Sequence, residues 1–102
     1  MFTGIITNLG KIESLESNDE KDLLLKISTN KLNLKRDLEI GCSIACNGIC
    51  LTLIEKNFKF ENATLSFQAS NETCQKTTLK NWKINQLINL EFALRMGDEL
   101  GG

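Results

Sequence analysis

The sequence contains no histidine and no long apolar run, and each absence excludes a class of protein. Histidine is the commonest acid–base side chain at neutral pH and the commonest metal ligand, so histidine-based triads and metal centres are excluded. No apolar run approaches the roughly 20 residues that a transmembrane helix needs, and no signal-peptide pattern opens the chain. We therefore expect a cytosolic (cytoplasmic) protein.

Charge, length and cysteine content narrow the remaining classes. With 12 Lys and Arg residues against 13 Asp and Glu, the net charge of −1 gives no general attraction to nucleic acid or to an anionic membrane. A chain of 102 residues is predicted to be a single domain, 1–102. Four cysteines in the cytosol are expected to stay reduced. The spacing of Cys42, Cys46 and Cys50 differs from the tighter Cys-x2-Cys pairs of zinc ribbons, so no metal site is predicted.

The segment 41–55, GCSIACNGICLTLIE, is the most informative stretch of the chain. Asn47-Gly48 predicts a two-residue hairpin turn, because both central residues of such a turn take positive φ. Cys50 and Thr52 then lie on one face of a strand, as a candidate nucleophile or hydrogen-bonding pair. The alternative, that Cys50 is a small packed apolar residue, stays open. Small polar and soft side chains among aliphatic ones suit the lining of a pocket.

Short strand patterns recur at about ten-residue spacing, which is typical of an all-β barrel or sandwich. The strands outside the hairpin are predicted at 5–15, 23–28, 64–69 and 87–94. Gly10 indicates a bulge or bend in the first of them.

Loops and one helix separate the predicted strands. The charged segment 16–22 is expected to be a solvated hairpin tip, and 29–40 a long connection with one helical turn. Further turns are predicted at Lys56-Asn57 and at Glu61-Asn62. One short helix is predicted in 70–79, capped by Ser70 or Asn71.

The start of that helix allows two interpretations. Asn71, Glu72 and Thr73 offer backbone N–H groups and side-chain acceptors, which suit an ordinary cap as well as the polar edge of a bound ring or an anion. The glycine-rich pattern of a dinucleotide site is missing from the sequence.

Four segments together resemble the riboflavin synthase family of lumazine-binding barrels. They are MFTGII at 1–6, GCSIACNGICLTLIE at 41–55, ETCQKTTL at 72–79 and NLEFALRMGDELGG at 89–102. The resemblance covers the whole chain and implies a six-stranded antiparallel Greek-key β-barrel with one short helix. It also implies the amino-terminal half of a two-barrel enzyme, without the second barrel and the trimerising C-terminal helix.

The resemblance implies a function as well. Enzymes of this family transfer a four-carbon unit between two molecules of 6,7-dimethyl-8-ribityllumazine, giving riboflavin and 5-amino-6-ribitylamino-uracil without a metal or a coenzyme. We expect this chain to bind ribityllumazine or riboflavin as substrate or product, with weak or no turnover. A homodimer of the chain would take the place of the family's homotrimer of full-length subunits.

The family's site residues map onto matching positions of this sequence. Ser43 and Thr52 are implied as hydrogen-bonding hydroxyls and Cys50 as a soft group against the ring, with 68–73 holding the pyrimidine edge. The catalytic set implied is Phe2, Ser43, Cys50 and Thr52. The substrate contacts implied are Thr3, Gly4, Ile5, Ile6, Cys50, Leu51, Thr52, Gln68, Ala69, Ser70, Asn71, Glu72 and Thr73.

Three other functions compete with this one. A non-catalytic carrier of a lumazine or flavin chromophore would have the same fold. An oligonucleotide-binding barrel would need a positive groove and stacking aromatics, but this chain has no tyrosine and 6% aromatic residues. A structural domain without a ligand is the third alternative.

Overall fold

The computed structural model describes residues 6–30 and 38–92, with the backbone alone for Ile6 and Thr7. This part of the chain forms six strands, one short α-helix and one 3-10 helix. The strands are β1 Ile6–Ser17, β2 Leu23–Asn30, β3 Ser43–Cys46, β4 Ile49–Lys59, β5 Asn62–Ala69 and β6 Leu87–Phe92. Helix α1 (Asn71–Lys76) and the 3-10 helix (Thr78–Asn81) lie between β5 and β6.

The strands close into an antiparallel barrel in the order β1-β2-β5-β4-β3-β6. Strand β1 pairs with β2 on one side and with β6 on the other, which joins the two ends of the sheet. The predicted six-stranded Greek-key barrel is therefore confirmed. In residues 6–30 and 38–92 there is no helix long and apolar enough to span a membrane.

Alternation along the strands builds the core. Inward-facing aliphatic and aromatic side chains alternate with outward polar ones, as in a strand with one buried face. In the predicted strand at 64–69, Leu65 and Phe67 share the inner face, and both are completely buried. The fully buried strand residues are Ile12, Leu25, Ile27, Ile44, Cys46, Leu53, Ala63, Leu65, Phe67, Ile88 and Leu90. The interior is a packed core, as expected for a barrel with so few strands.

The hairpin predicted from Asn47-Gly48 is present between β3 and β4. Both turn residues have positive φ, 49° for Asn47 and 84° for Gly48. The turn is also tied to β6, because the Asn47 side-chain oxygen accepts from Asn89 N at 2.7 Å and Asn47 N donates to Asn89 O at 2.8 Å.

The prediction of a turn at Lys56-Asn57 is wrong, because both residues lie within β4. Strand β4 continues to Lys59, with a register shift between Leu53 and Glu55. This bulge reverses the side-chain alternation, so the second half of the strand looks like a separate segment in the sequence. The β4–β5 turn lies at 60–61, one residue before its predicted position.

The bulge predicted at Gly10 is also misplaced. The register shift in β1 lies between Ile12 and Ser14, whereas Gly10 pairs regularly with Thr29 and Ile88. A Cβ on Gly10 would lie 2.6 Å from Ile27 Cγ2 and 2.9 Å from Leu90 Cδ1. Glycine is needed here because the neighbouring side chains fill the space, not because the strand bends.

The helix predicted in 70–79 begins where it was predicted, but its α-helical part, α1, already ends at Lys76. The Ser70 side chain caps α1 by accepting from Thr73 N at 3.1 Å. The extended backbone of Thr77, with φ of −129°, then separates α1 from the 3-10 helix. The single helix predicted in 70–79 is therefore two short ones. The helical turn expected in 29–40 falls mostly on 31–37, outside the described residues.

Replacing Gly10 with alanine should lower the free energy of unfolding by about 1 to 3 kcal/mol, the usual cost of overpacking a filled core. Urea unfolding followed by circular dichroism measures the change. Lys11→Ala, on the exposed face one residue further along β1, is the matched control and should stay within about 0.5 kcal/mol of the parent. Equal effects of the two substitutions would contradict the steric role of Gly10.

Candidate functional site

Three of the predicted site residues form a row across the outer face of the barrel. Ser43 of β3 lies opposite Thr52 of β4, and Thr52 lies opposite Gln68 of β5. Neighbouring strands are roughly 4.8 Å apart, so the row spans about 10 Å. All three side chains are exposed. We call Ser43, Thr52 and Gln68 the outer row.

Cys50 lies beside the outer row. It precedes Thr52 by two residues on the same face of β4, roughly 7 Å away along the strand, and its side chain is exposed. The strand alternation turns Leu51 inward, where it is 3% exposed. In β5 the same alternation turns Ala69 inward, and this residue is 2% exposed. Neither of these two predicted contacts presents its side chain on the outer face, so each retains only its backbone there.

The start of α1 corresponds to the ordinary-cap interpretation. Thr73 N donates to Ser70 Oγ, and Asn71 N donates to Asp22 Oδ1 at 3.0 Å. Glu72 forms an ion pair of 2.7 Å with Lys76 one turn later. Two of the amide groups that were expected to face a ligand are thus used within the protein.

The amino-terminal part of the predicted site cannot be placed. Phe2, Thr3, Gly4 and Ile5 lie outside the described residues, and Ile6 is described by its backbone, which pairs with Phe92. Their roles in the site remain predictions.

A shallow groove of about 210 Å³ continues the outer face next to the outer row. It extends from Leu24, which pairs with Gln68, toward the bulge in β4. The side chains along it are Ser14, Glu16, Leu24, Lys26, Ile54, Glu55 and Ser66. The outer row therefore borders a concave surface that is partly apolar and partly polar.

Asp22 is a site residue that the sequence did not reveal. Its Oδ1 accepts from Asn71 N, and its Oδ2 accepts from Gln68 Nε2 at 3.2 Å. Asn18 fixes the loop by accepting from Glu20 N and Asp22 N, both at 2.9 Å. The expectation of a merely solvated tip at 16–22 is therefore wrong for Asp22. No local signal could have shown this, because the partners of Asp22 lie 46 and 49 residues away.

All four cysteines are free thiols. Cys46 is completely buried, and burial raises its pKa to about 12, with a further contribution from nearby Cys50. Burial also raises the pKa of Cys42. Cys46 and Cys50 lie on opposite faces of the sheet, so they do not converge. Across 6–30 and 38–92 no three Cys, Asp or Glu side chains are arranged to hold a metal ion.

The fold and the outer row define a small closed barrel with a polar outer face. Residues 3–93 match the lumazine-binding domain family, and the chain belongs to that family. The resemblance drawn from the four sequence segments is confirmed.

Similar proteins are bacterial riboflavin synthases. The chain is 41% identical to the riboflavin synthase of Brucella abortus (strain 2308), 39% to that of Photobacterium leiognathi and 33% to that of Escherichia coli (strain K12). Each alignment covers 100% of this chain and 50%, 44% and 45% of the respective relative. The chain thus spans about half the length of the curated relatives it matches.

Replacing Asp22 with alanine should lower the free energy of unfolding by about 1 to 2 kcal/mol, because Asn71 N and the Gln68 amide both lose their acceptor. Thermal or urea unfolding measures the loss. Asp19→Ala, an exposed carboxylate in the same loop, is the control and should change stability by less than about 0.5 kcal/mol. An Asp22 variant as stable as the Asp19 variant would contradict the proposed tie between this loop and α1.

The cysteines should differ in reactivity in the folded protein. Exposed Cys50 should react with N-ethylmaleimide at pH 8, whereas Cys46 should stay unmodified because it is buried and keeps its proton. Peptide mapping by mass spectrometry identifies the modified thiols. In urea both should react, which controls for the chemistry. Modification of Cys46 at the rate of Cys50 without denaturant would contradict the structure.

Proposed function

We propose that the chain is the ligand-binding barrel of a riboflavin synthase and binds 6,7-dimethyl-8-ribityllumazine or riboflavin on the outer row. The observation that carries this proposal is the meeting of Ser43, Thr52 and Gln68 on one exposed face of a chain whose family is the lumazine-binding domain. These residues come from two segments that are separated in the sequence. The pairing of β3, β4 and β5 brings them together.

The two hydroxyls of the outer row are available to a ligand. In the described part of the chain, neither Ser43 nor Thr52 makes a side-chain hydrogen bond, and both are exposed. A polar ring edge or a ribityl hydroxyl can therefore pair with them without breaking an existing contact. Gln68 is held in place by Asp22, and the Cys50 thiol offers a soft, polarisable surface for a flat ring.

The proposed activity of the complete enzyme is the transfer of a four-carbon unit between two ribityllumazine molecules. Holding two reactants in an aligned pair can supply roughly 7 to 11 kcal/mol of the barrier, so positioning carries much of the work. In this proposal neither a metal nor a coenzyme takes part, and the reaction proceeds in the cytosol. In this proposal Ser43 and Thr52 of the outer row orient the bound ribityllumazine through hydrogen bonds.

A second barrel is part of the proposal. The groove beside the outer row holds about 210 Å³, less than the roughly 300 to 1,000 Å³ of pockets that enclose a ligand. One barrel therefore offers one wall of a site. We propose that two copies of this chain face each other as a homodimer, each binding one ligand, with weak or no turnover. In a full-length enzyme the additional half of another subunit would supply the second wall.

Riboflavin fluorescence should be quenched on titration with the purified chain, saturating at one flavin per chain. Thr52→Val and Ser43→Ala should each raise the dissociation constant by about threefold to tenfold, because each removes one hydrogen bond. Sedimentation of the same sample should give the mass of two chains.

Thr64→Val is the matched control for Thr52, because it makes the same substitution on the outer face of β5, away from the row. Its affinity should equal that of the parent. An equal loss in both threonine variants, or no quenching at high protein concentration, would contradict the proposed site. Incubation with ribityllumazine separates an enzyme from a carrier, since only an enzyme of this type forms riboflavin.

A further inference from the structure

Helix α1 contacts the barrel loosely, with Cys74 half-buried against the core. None of its residues is buried, although a helix next to a core normally buries one face. Between it and the β1–β2 end of the barrel lies a pocket of about 390 Å³, which falls within the usual size range of small-molecule sites. We call this cavity the helix pocket.

The floor of the helix pocket is apolar. Leu15 and Leu23 contribute their half-buried side chains from the ends of β1 and β2. Leu79 contributes from the 3-10 helix, and Trp82 from the position directly after it. Cys74 of α1 faces the same space. Burial raises the pKa of the Cys74 thiol, so at neutral pH it adds no charge to the floor. A flat apolar group would be desolvated against this surface.

The rim of the helix pocket is cationic. Lys21 and Lys80 line it, and no Asp or Glu does so. Within residues 6–30 and 38–92 neither ammonium group has a hydrogen bond or ion-pair partner.

The nearby carboxylates already have partners. Both oxygens of Asp22 accept hydrogen bonds, from Asn71 and Gln68, and Glu72 is paired with Lys76. The donors to Asp22 are neutral amides, and its charge still acts on the Cys74 thiol. The positive edge is therefore a local one, formed where the unpaired Lys21 and Lys80 line the rim beside the apolar floor.

We propose that the helix pocket is a second binding site, for a small aromatic anion. The ring would pack on the floor formed by Leu15, Leu23 and Trp82, and a carboxylate, sulfonate or phosphate group would pair with Lys21 and Lys80. No residue of the outer row lines this pocket, although Asn71, one of the implied substrate contacts, does. The proposal stands on the lining of the helix pocket and is tested separately from flavin binding.

The probe for this site is 8-anilinonaphthalene-1-sulfonate, an aromatic sulfonate. Trp82 is the sole tryptophan of the chain and lines the pocket, so its fluorescence responds to a probe bound there, and the lysine variants below locate that probe. The sulfonate should quench Trp82 emission in a saturable manner. Raising the salt concentration should weaken the binding, because dissolved ions screen the attraction between the sulfonate and the exposed Lys21 and Lys80.

Two lysine variants test the cationic rim. Lys21 has a positive φ of 64°, a conformation that glycine adopts without strain, so Lys21→Gly removes the charge and keeps the fold. Lys21→Gly and Lys80→Gln should each weaken sulfonate binding by about threefold, the scale of an exposed ion pair. Lys59→Gln, an exposed lysine at the end of β4, is the control and should bind like the parent.

Three results would overturn the proposal. The first is sulfonate fluorescence without saturable quenching of Trp82, which would place the probe elsewhere. The second is equal affinity in the Lys21, Lys80 and Lys59 variants. The third is displacement of the sulfonate by riboflavin. Because Thr52→Val should leave sulfonate binding unchanged, failure of this site and failure of the flavin site are distinguishable.

Discussion

Closure of the barrel between β1 and β6 determines where this chain can bind a ligand. Residues 6–11 pair with 87–92, and with this pairing every strand of the described barrel has two neighbours. A closed sheet of six strands encloses little volume, and Phe67 and the aliphatic side chains around it fill that volume. Most polar residues of the same strands therefore face outward, and the inward-facing Asn8 and Thr29 are exceptions that hydrogen-bond to each other. Both pockets considered above follow from this constraint, one on the outer wall and one at the end of the barrel.

The parts of the fold that the sequence predicts are those encoded by local chemistry. Asn47-Gly48 requires a tight turn, and alternation in β5 places Leu65 and Phe67 on one face. The bulge after Leu53 escaped prediction because it reverses the alternation within a continuous strand. The role of Gly10 was equally hidden, since Ile27 and Leu90, the side chains that exclude a Cβ, belong to other strands.

The candidate site shows the same division between local and distant information. The resemblance supplied Ser43, Thr52 and Gln68, and strand pairing places them side by side. It also supplied Leu51 and Ala69, whose side chains the alternation directs into the core. Neighbours in a motif are not neighbours on a surface when the motif is a strand. Asp22 presents the opposite case, because its contacts with Gln68 and Asn71 exist only once β2, β5 and α1 have come together.

The pairing of the first and last strands has a consequence for the order of the chain itself. Ile6 and Phe92 are direct partners, so their Cα atoms are roughly 5 Å apart. A short linker could join these positions, and the chain could be reopened at the exposed tip between Phe60 and Glu61, giving a circular permutant with the same strand neighbours. In such a molecule β5 would come first and β4 last. The strands of the barrel are thus arranged in a closed ring. Moving the chain ends to another loop changes the order of the strands along the sequence and leaves their packing unchanged.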